Sequence, residues 1–169
     1  MARFVSERLA IHHDLTRFHS GVDALDRWLM DHATHAQSMR TAQTFVWHEG
    51  DGPVVGYYSL AAHLVVRAEL PQQVGRGSPA SIPAVLLARL ALDATLHGEG
   101  LGGELLWDAL TRALAASDIA AARLVVVDAI NPPAAVFYQH HGFTTVPDNP
   151  HRLVQKMSDI AAALAHRSD

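Results

Sequence analysis

Four glycines, Gly98, Gly100, Gly102 and Gly103, fall close together between an apolar run and the start of a helical pattern. Glycine lets a backbone approach a ligand closely, and the amides of a helix N-terminus attract anions, so this turn suits a bound pyrophosphate. The same spacing also makes a plain tight turn. A P-loop is excluded because no Gly-Lys-Ser/Thr follows. The dinucleotide-binding pattern is disfavoured because the turn comes past the middle of the chain, behind a hairpin. Three more residues stand out. Arg89 interrupts an apolar strand, where a cation is costly without a partner or a ligand. Asn131, ahead of Pro132, is placed either to cap a helix or to touch a ligand. Tyr138 reads either as a core aromatic with its hydroxyl satisfied or as a working phenol.

Other chemistries are closed off by what the chain lacks. It contains no cysteine, which removes disulfides, thiolate metal sites and a cysteine acyl-enzyme. Its 12 histidines are scattered, with no HxxxH or HExxH spacing on a helical pattern, so most read as surface residues and no metal site is expected. The net charge of −4 is not that of a general nucleic-acid binder. Phosphate contacts must therefore come from a local patch, for which Arg17, Arg27, Arg40, Arg76 and Arg89 are the candidates. No apolar stretch is long enough to span a membrane and no signal-peptide pattern follows Met1, so a cytoplasmic protein is expected.

The elements that must position these residues follow from periodicity. Arg8 to Ile11 reads as a first strand. Ser20-Gly-Val-Asp23 resembles a capping box that opens a helix carrying Leu25, Trp28 and Leu29 on one face and ending near His35. Thr44 to His48 and Val54 to His63 form a hairpin around Glu49-Gly-Asp-Gly-Pro53. Leu70 to Pro83 is an irregular connection. Val85 to Leu92 is a buried strand, followed by the glycine turn and a helix with Leu101, Leu105, Leu106, Ala109, Leu110, Ala113 and Leu114 at helical spacing. Leu124 to Val127 is a second buried strand, Pro133 to His141 a short helix, Arg152 to Met157 a last strand, and 159–169 a loosely held tail helix. The alternation implies one α/β domain over residues 1–169 with a sheet whose middle is parallel.

Together, Arg89-Leu-Ala-Leu-Asp93, His97-Gly-Glu-Gly-Leu-Gly102, Asn131-Pro-Pro-Ala134 and Phe137-Tyr138-Gln-His-His-Gly-Phe143 resemble the GNAT superfamily of N-acetyltransferases. That resemblance implies an α/β (α+β) fold: a mixed, mostly antiparallel sheet with a central, splayed parallel strand pair and flanking helices. It also implies acetyl-CoA as acetyl donor. In the family pattern Gln/Arg-x-x-Gly-x-Gly/Ala, main-chain amides bind the pyrophosphate. His97 stands where Gln or Arg is usual, followed by Gly98, Glu99, Gly100, Leu101, Gly102 and Gly103. The backbone of Leu90, Ala91 and Leu92 is implied to pair with the pantetheine arm, and Asn131, Ala134 and Phe137 to line the cofactor. Tyr138 takes the position of the family's general acid, which protonates the sulfur of coenzyme A.

Further pieces resemble the GNAT toxins of bacterial toxin–antitoxin pairs: Phe18-His-Ser-Gly21, Leu25-Asp-Arg-Trp-Leu29, Val55-Gly-Tyr-Tyr-Ser-Leu60, Leu87-Ala-Arg-Leu-Ala-Leu-Asp93 and Val126-Val-Asp-Ala129. The implied activity is acetylation of the α-amine of aminoacyl-tRNA, which blocks translation. The implied partners are a DNA-binding antitoxin of ribbon-helix-helix type and a second copy of the chain. Arg27, Arg40, Arg76 and Arg89 are the expected tRNA contacts. A GNAT enzyme acting on a small amine or a protein N-terminus, and an inactive CoA- or partner-binding module, are the alternatives.

Overall fold

A computed structural model describes residues 3–168. In chain order its elements are β1 (Val5–Arg8), α1 (Asp23–Asp31), α2 (Ala33–Ser38), β2 (Gln43–His48), β3 (Val54–Val66), α3 (Gln72–Gly75), β4 (Ser81–Leu92), α4 (Leu101–Ser117), β5 (Leu124–Asp128), α5 (Pro132–His140), β6 (Thr144–Val146), β7 (Asn149–Lys156) and α6 (Met157–Arg167). The strand order is β1-β2-β3-β4-β5-β7-β6. β4 and β5 form the parallel pair, and the other described registers are antiparallel. This is the mixed, mostly antiparallel sheet with flanking helices that the resemblance implied.

The chain packs as two compact units, through which β3, β4 and α4 run. One holds the residues up to Ala61 together with Ala88–Ala109. Its core gathers Leu9, Phe18, Leu29, Val46, Tyr57 and Ala91. The β2–β3 hairpin turns where Gly50 (φ +58°) and Asp51 (φ +59°) take left-handed backbone, as the Gly/Asp turn chemistry requires. The other unit holds Ala62–Leu87 and the described residues from Leu110 onward. Its core is built from Val65, Leu70, Ile82, Leu124, Val126 and Val154. β4 pairs with β5 from Ala84↔Leu124 to Leu87↔Val127, where that register ends.

Several boundaries differ from expectation, each for a local reason. The first strand is Val5–Arg8 rather than 8–11, because the chain turns at Ala10, whose carbonyl accepts from His13 N, and Ile11 is fully exposed. Ser20 does not cap α1. Gly21 (φ +93°) redirects the chain, Val22 becomes the N-cap, and Ser20 Oγ donates instead to Asp26 Oδ1 at 2.6 Å. The single helix expected to end near His35 is two, separated at His32 (φ −126°, ψ −26°). The connection 70–83 contains α3, and β4 begins at Ser81 despite Pro83. A proline near a strand's start loses little, and its carbonyl still accepts from Arg123 N at 2.8 Å.

At the C-terminal end an unexpected strand, β6, makes a hairpin with β7. The turn is set by Asp148 (φ +63°), and Pro150 is accommodated where the register shifts. β7 therefore starts before Arg152, and Met157 opens α6 instead of ending a strand. That last helix is not loosely held: Met157 is buried and Ile160 is fully buried. Asp169, the final residue of the expected tail, lies outside the described residues.

Candidate active site

The glycine turn is built by anchoring both of its ends. Asp93 closes β4 by donating its N–H to Val55 O at 2.8 Å, and its carboxylate accepts from His19 N, Thr95 N and Thr95 Oγ1. Burial opposes ionisation of Asp93, but the Thr95 and His19 hydrogen bonds outweigh it and hold the carboxyl below its ordinary value. His97 Nε2 then donates to Leu92 O at 2.8 Å, so the imidazole ties the turn back to the strand. Gly98 (φ +83°) and Gly100 (φ +77°) take backbone that side-chain-bearing residues rarely adopt. A Cβ at either would meet nothing within 4 Å, so conformation rather than crowding demands glycine there. Gly98, Glu99 and Gly100 are exposed, and Leu101, Gly102 and Gly103 form the first turn of α4. The amides of that turn have no acceptor within the helix, and the helix dipole adds positive potential at the same place. The surface is open and fits a diphosphate.

Leu90, Ala91 and Leu92 lie in the last part of β4, beyond the end of its register with β5. Arg89 just before them holds its guanidinium carbon 3.9 Å from the centroid of the Trp28 ring. Trp28 in turn stacks on Tyr57 at 6.3 Å and 9°, and the Tyr57 hydroxyl donates to Leu25 O. Burial lowers the Arg89 pKa from its ordinary value, partly countered by Tyr57. Among the described residues Arg89 has no ion pair, so the indole face of Trp28 is its main contact against the cost of a cation in an apolar strand. Arg27, by contrast, is paired with Asp23 at 2.7 Å on the exposed face of α1. Arg40 is exposed in left-handed backbone (φ +59°), beside Arg8 in a groove of about 380 Å³.

In the other unit, Asn131 is the N-cap of α5: its Oδ1 accepts from Ala134 N at 2.8 Å, with Pro132 at the first helical position. The capping alternative for Asn131 is thus realised. One turn further on, Phe137 is half-buried and Tyr138 is buried. Tyr138 packs edge-on against Phe137 at 5.2 Å and Phe143 at 5.6 Å. Its hydroxyl has no hydrogen-bond partner among the described residues, whereas the hydroxyls of Tyr57 and Tyr58 donate to Leu25 O and Asp108. Burial pushes the Tyr138 phenol up, so it holds its proton at any cellular pH. A protonated, unengaged O–H held by packing is what a general acid requires.

Not every histidine is a surface residue: the side chains of His13 and His48 are nearly inaccessible and converge on Glu7. Glu7, His12 and His13 place ligand-type atoms within 4.8 Å of one another. The polarity is that of a hydrogen-bonded tie. His13 Nδ1 accepts from Ala10 N–H, which leaves the ring proton on Nε2 to donate to Glu7 Oε1 at 2.8 Å. His48 Nε2 lies 2.7 Å from the same oxygen. A metal-bound imidazole has the reverse arrangement, its distal nitrogen donating outward. The contacts from His13 and His48 lower the Glu7 pKa from its ordinary 4.5 to about 2. A carboxylate depressed by folding stabilises the protein above the unfolded pKa, and that contribution is lost as pH falls through the folded value. Glu7→Gln should therefore flatten the decline in melting temperature between pH 5 and pH 2, as read by scanning calorimetry. Parallel curves for variant and parent would remove the tie from the account.

Residues 40–145, which include both the glycine turn and Tyr138, match the acetyltransferase (GNAT) domain, and the chain belongs to that family. GNAT acetyltransferases use acetyl-CoA. A tRNA-acetylating toxin of Mycobacterium tuberculosis is 38% identical over 151 residues, covering 89% of this chain and 90% of its own. Among solved structures, AtaT complexed with acetyl-methionyl-tRNA superposes with a TM-score of 0.88 at 28% identity, covering 95% of this chain and 99% of that one. A point mutant of the AtaT toxin, bound to acetyl-CoA and to the C-terminus of the antitoxin AtaR, gives 0.82 at 26% identity, with 96% and 99% covered.

Proposed function

We propose that this chain transfers the acetyl group of acetyl-CoA to the α-amine of aminoacyl-tRNA and acts as the toxin of a toxin–antitoxin pair. The chemistry rests on Tyr138, whose ring is buried and whose hydroxyl keeps its proton and has no hydrogen-bond partner among the described residues. Amide formation from a thioester needs a neutral amine, a stabilised oxyanion and a proton for the departing thiolate. Tyr138 supplies that proton from its hydroxyl. The turn from His97 to Gly103 holds the diphosphate through the amides of Gly100, Leu101, Gly102 and Gly103. Leu90, Ala91 and Leu92 offer main-chain groups of β4 to the pantetheine arm, and Ala134 and Phe137 line the cofactor. No protein base is needed for this acceptor. An α-amine titrates near ~7.7 to 8.0, and esterification of the neighbouring carboxyl lowers that further, whereas a lysine side chain near ~10.4 would need strong help.

Support for tRNA as acceptor comes from the relative that aligns along nearly the whole chain and acetylates tRNA, and from AtaT with its acetylated tRNA. Physical support comes from Arg89, an unneutralised cation on an aromatic plate, suited to a phosphate or a stacked base. Arg27 and Arg40 are secondary contacts on the same unit. The antitoxin complex of AtaT supports a cognate antitoxin here. We assign that partner to the DNA-binding ribbon-helix-helix type, the toxin to a homodimer and its place of action to the cytoplasm. Among the described residues no helix is long and apolar enough to cross a membrane.

Labelled acetyl-CoA, supplied with charged tRNA, uncharged tRNA and free amino acid in parallel, tests the assignment. Label should enter charged tRNA and be released with the amino acid on mild alkaline treatment. Labelling of the free amino acid alone would move the enzyme to small-amine acetylation.

A further inference from the structure

Three arginines meet around the loop that joins β3 to β4. Arg67 is fixed twice over. Its stem lies on Gly75, where an added Cβ would come within 3.1 Å of Arg67 Cγ, and its Nη1 donates to Ser78 O at 2.6 Å. Arg123, just before β5, donates from Nη2 to Arg76 O at 3.2 Å. The Arg76 side chain is exposed and makes no hydrogen bond among the described residues. Arg67, Arg76, Gly75, Gly77 and Leu70 line a pocket of about 410 Å³. None of the three arginines has an ion pair among the described residues. The carboxylate nearest in sequence, Glu69, acts on Arg152 instead. Acidic residues outnumber basic ones in the unit that carries the glycine turn, and the reverse holds in this unit, so the chain's net negative charge does not describe this surface.

Arg67 and Arg123 are each fixed by a bond to a loop carbonyl, and a fixed anion would screen the guanidinium groups around this loop better than water and mobile ions do. Guanidinium forks match phosphate oxygens, and the glycine edge lets a bulky backbone approach. We propose that this pocket receives a backbone phosphodiester of the RNA acceptor, away from the chemistry and without base selectivity. The proposal rests on aminoacyl-tRNA being the acceptor. Arg67 joins Arg76 in lining the pocket, and Arg123 holds the Arg76 carbonyl beside it.

Arg76 gives the cleanest test because its side chain holds nothing else in place. Steady-state acetylation of charged tRNA should show KM raised roughly 10-fold by Arg76→Glu and a few-fold by Arg76→Gln, with kcat unchanged. The slope of log KM against log salt should fall by about 0.7 to 0.9, as expected for one lost phosphate contact. An amino-acid methyl ester, an acceptor without phosphates, should react equally with parent and variants. An unaltered KM and salt slope in Arg76→Glu, or an equal loss on the methyl ester, would overturn the pocket. If the parent protein labels no charged tRNA, the acceptor assignment fails instead. Filter binding of uncharged tRNA then still decides the pocket: weaker binding by Arg76→Glu supports it, and equal binding overturns it.

Discussion

Tyr138→Phe is expected to reduce acetyl transfer by ~10²-fold or more while leaving acetyl-CoA affinity nearly intact, the behaviour of a lost general acid. The substitution deletes one oxygen that has no hydrogen-bond partner among the described residues, so none of their hydrogen bonds is broken. The edge-on packing against Phe137 and Phe143 stays available to a phenylalanine ring. With no hydrogen bond lost among the described residues and the ring packing kept, the variant should melt close to the parent. Loss of rate without loss of stability is the signature to look for. It is read by comparing single-turnover acetylation, coenzyme A binding by calorimetry, and thermal melting. An unchanged rate would return Tyr138 to the core.

The second large effect is expected at Gly102, the second residue of α4. A glutamate there suits the helix, since a negative charge in the first turn complements the dipole. The same charge sits where a diphosphate has to bind. Gly102→Glu should therefore fold normally and bind acetyl-CoA at least ~10-fold more weakly, a penalty of about 1.4 kcal/mol or more. Gly102→Ala, which adds a methyl group and no charge, separates bulk from electrostatics and should bind closer to the parent. Normal affinity in the glutamate variant would place the cofactor elsewhere.

Chemistry confined to a few neighbouring residues was legible in the sequence. The glycine turn, the Gly50–Asp51 hairpin, the apolar face of α4 and the capping geometry of Asn131 each depend on residues close in sequence, and each appears where expected. Features made by distant residues were not legible. Glu7 and His48 are 41 positions apart, and nothing in a scattered set of histidines distinguishes the two that β1 and its following turn bring together with β2. Trp28 could be placed on the apolar face of its helix, but its service as a plate for Arg89 needs β4 laid beside that helix. The unusual position of Arg89 was the one signal of that pairing.

Two strand starts differ from expectation at prolines. Pro83 and Pro150 both argue locally for loop, yet each lies within a strand, one near its beginning and the other at a shift of register. Ser20 shows the opposite error. Its spacing to Asp23 suits a capping box, but the left-handed turn at Gly21 hands the serine to Asp26. Arg67 and Arg123 are ordinary surface residues in the sequence and acquire meaning only through the loop they close.

In the proposed mechanism everything depends on main-chain amides at the start of α4 gripping the diphosphate of the acetyl donor. Amide-resolved NMR during titration with coenzyme A reads those groups directly. The account predicts that the amides of Gly100, Leu101, Gly102 and Gly103 shift most and saturate at one equivalent, and that Gly102→Glu abolishes the response at the same concentrations. Saturable binding that leaves these four amides unmoved would contradict it.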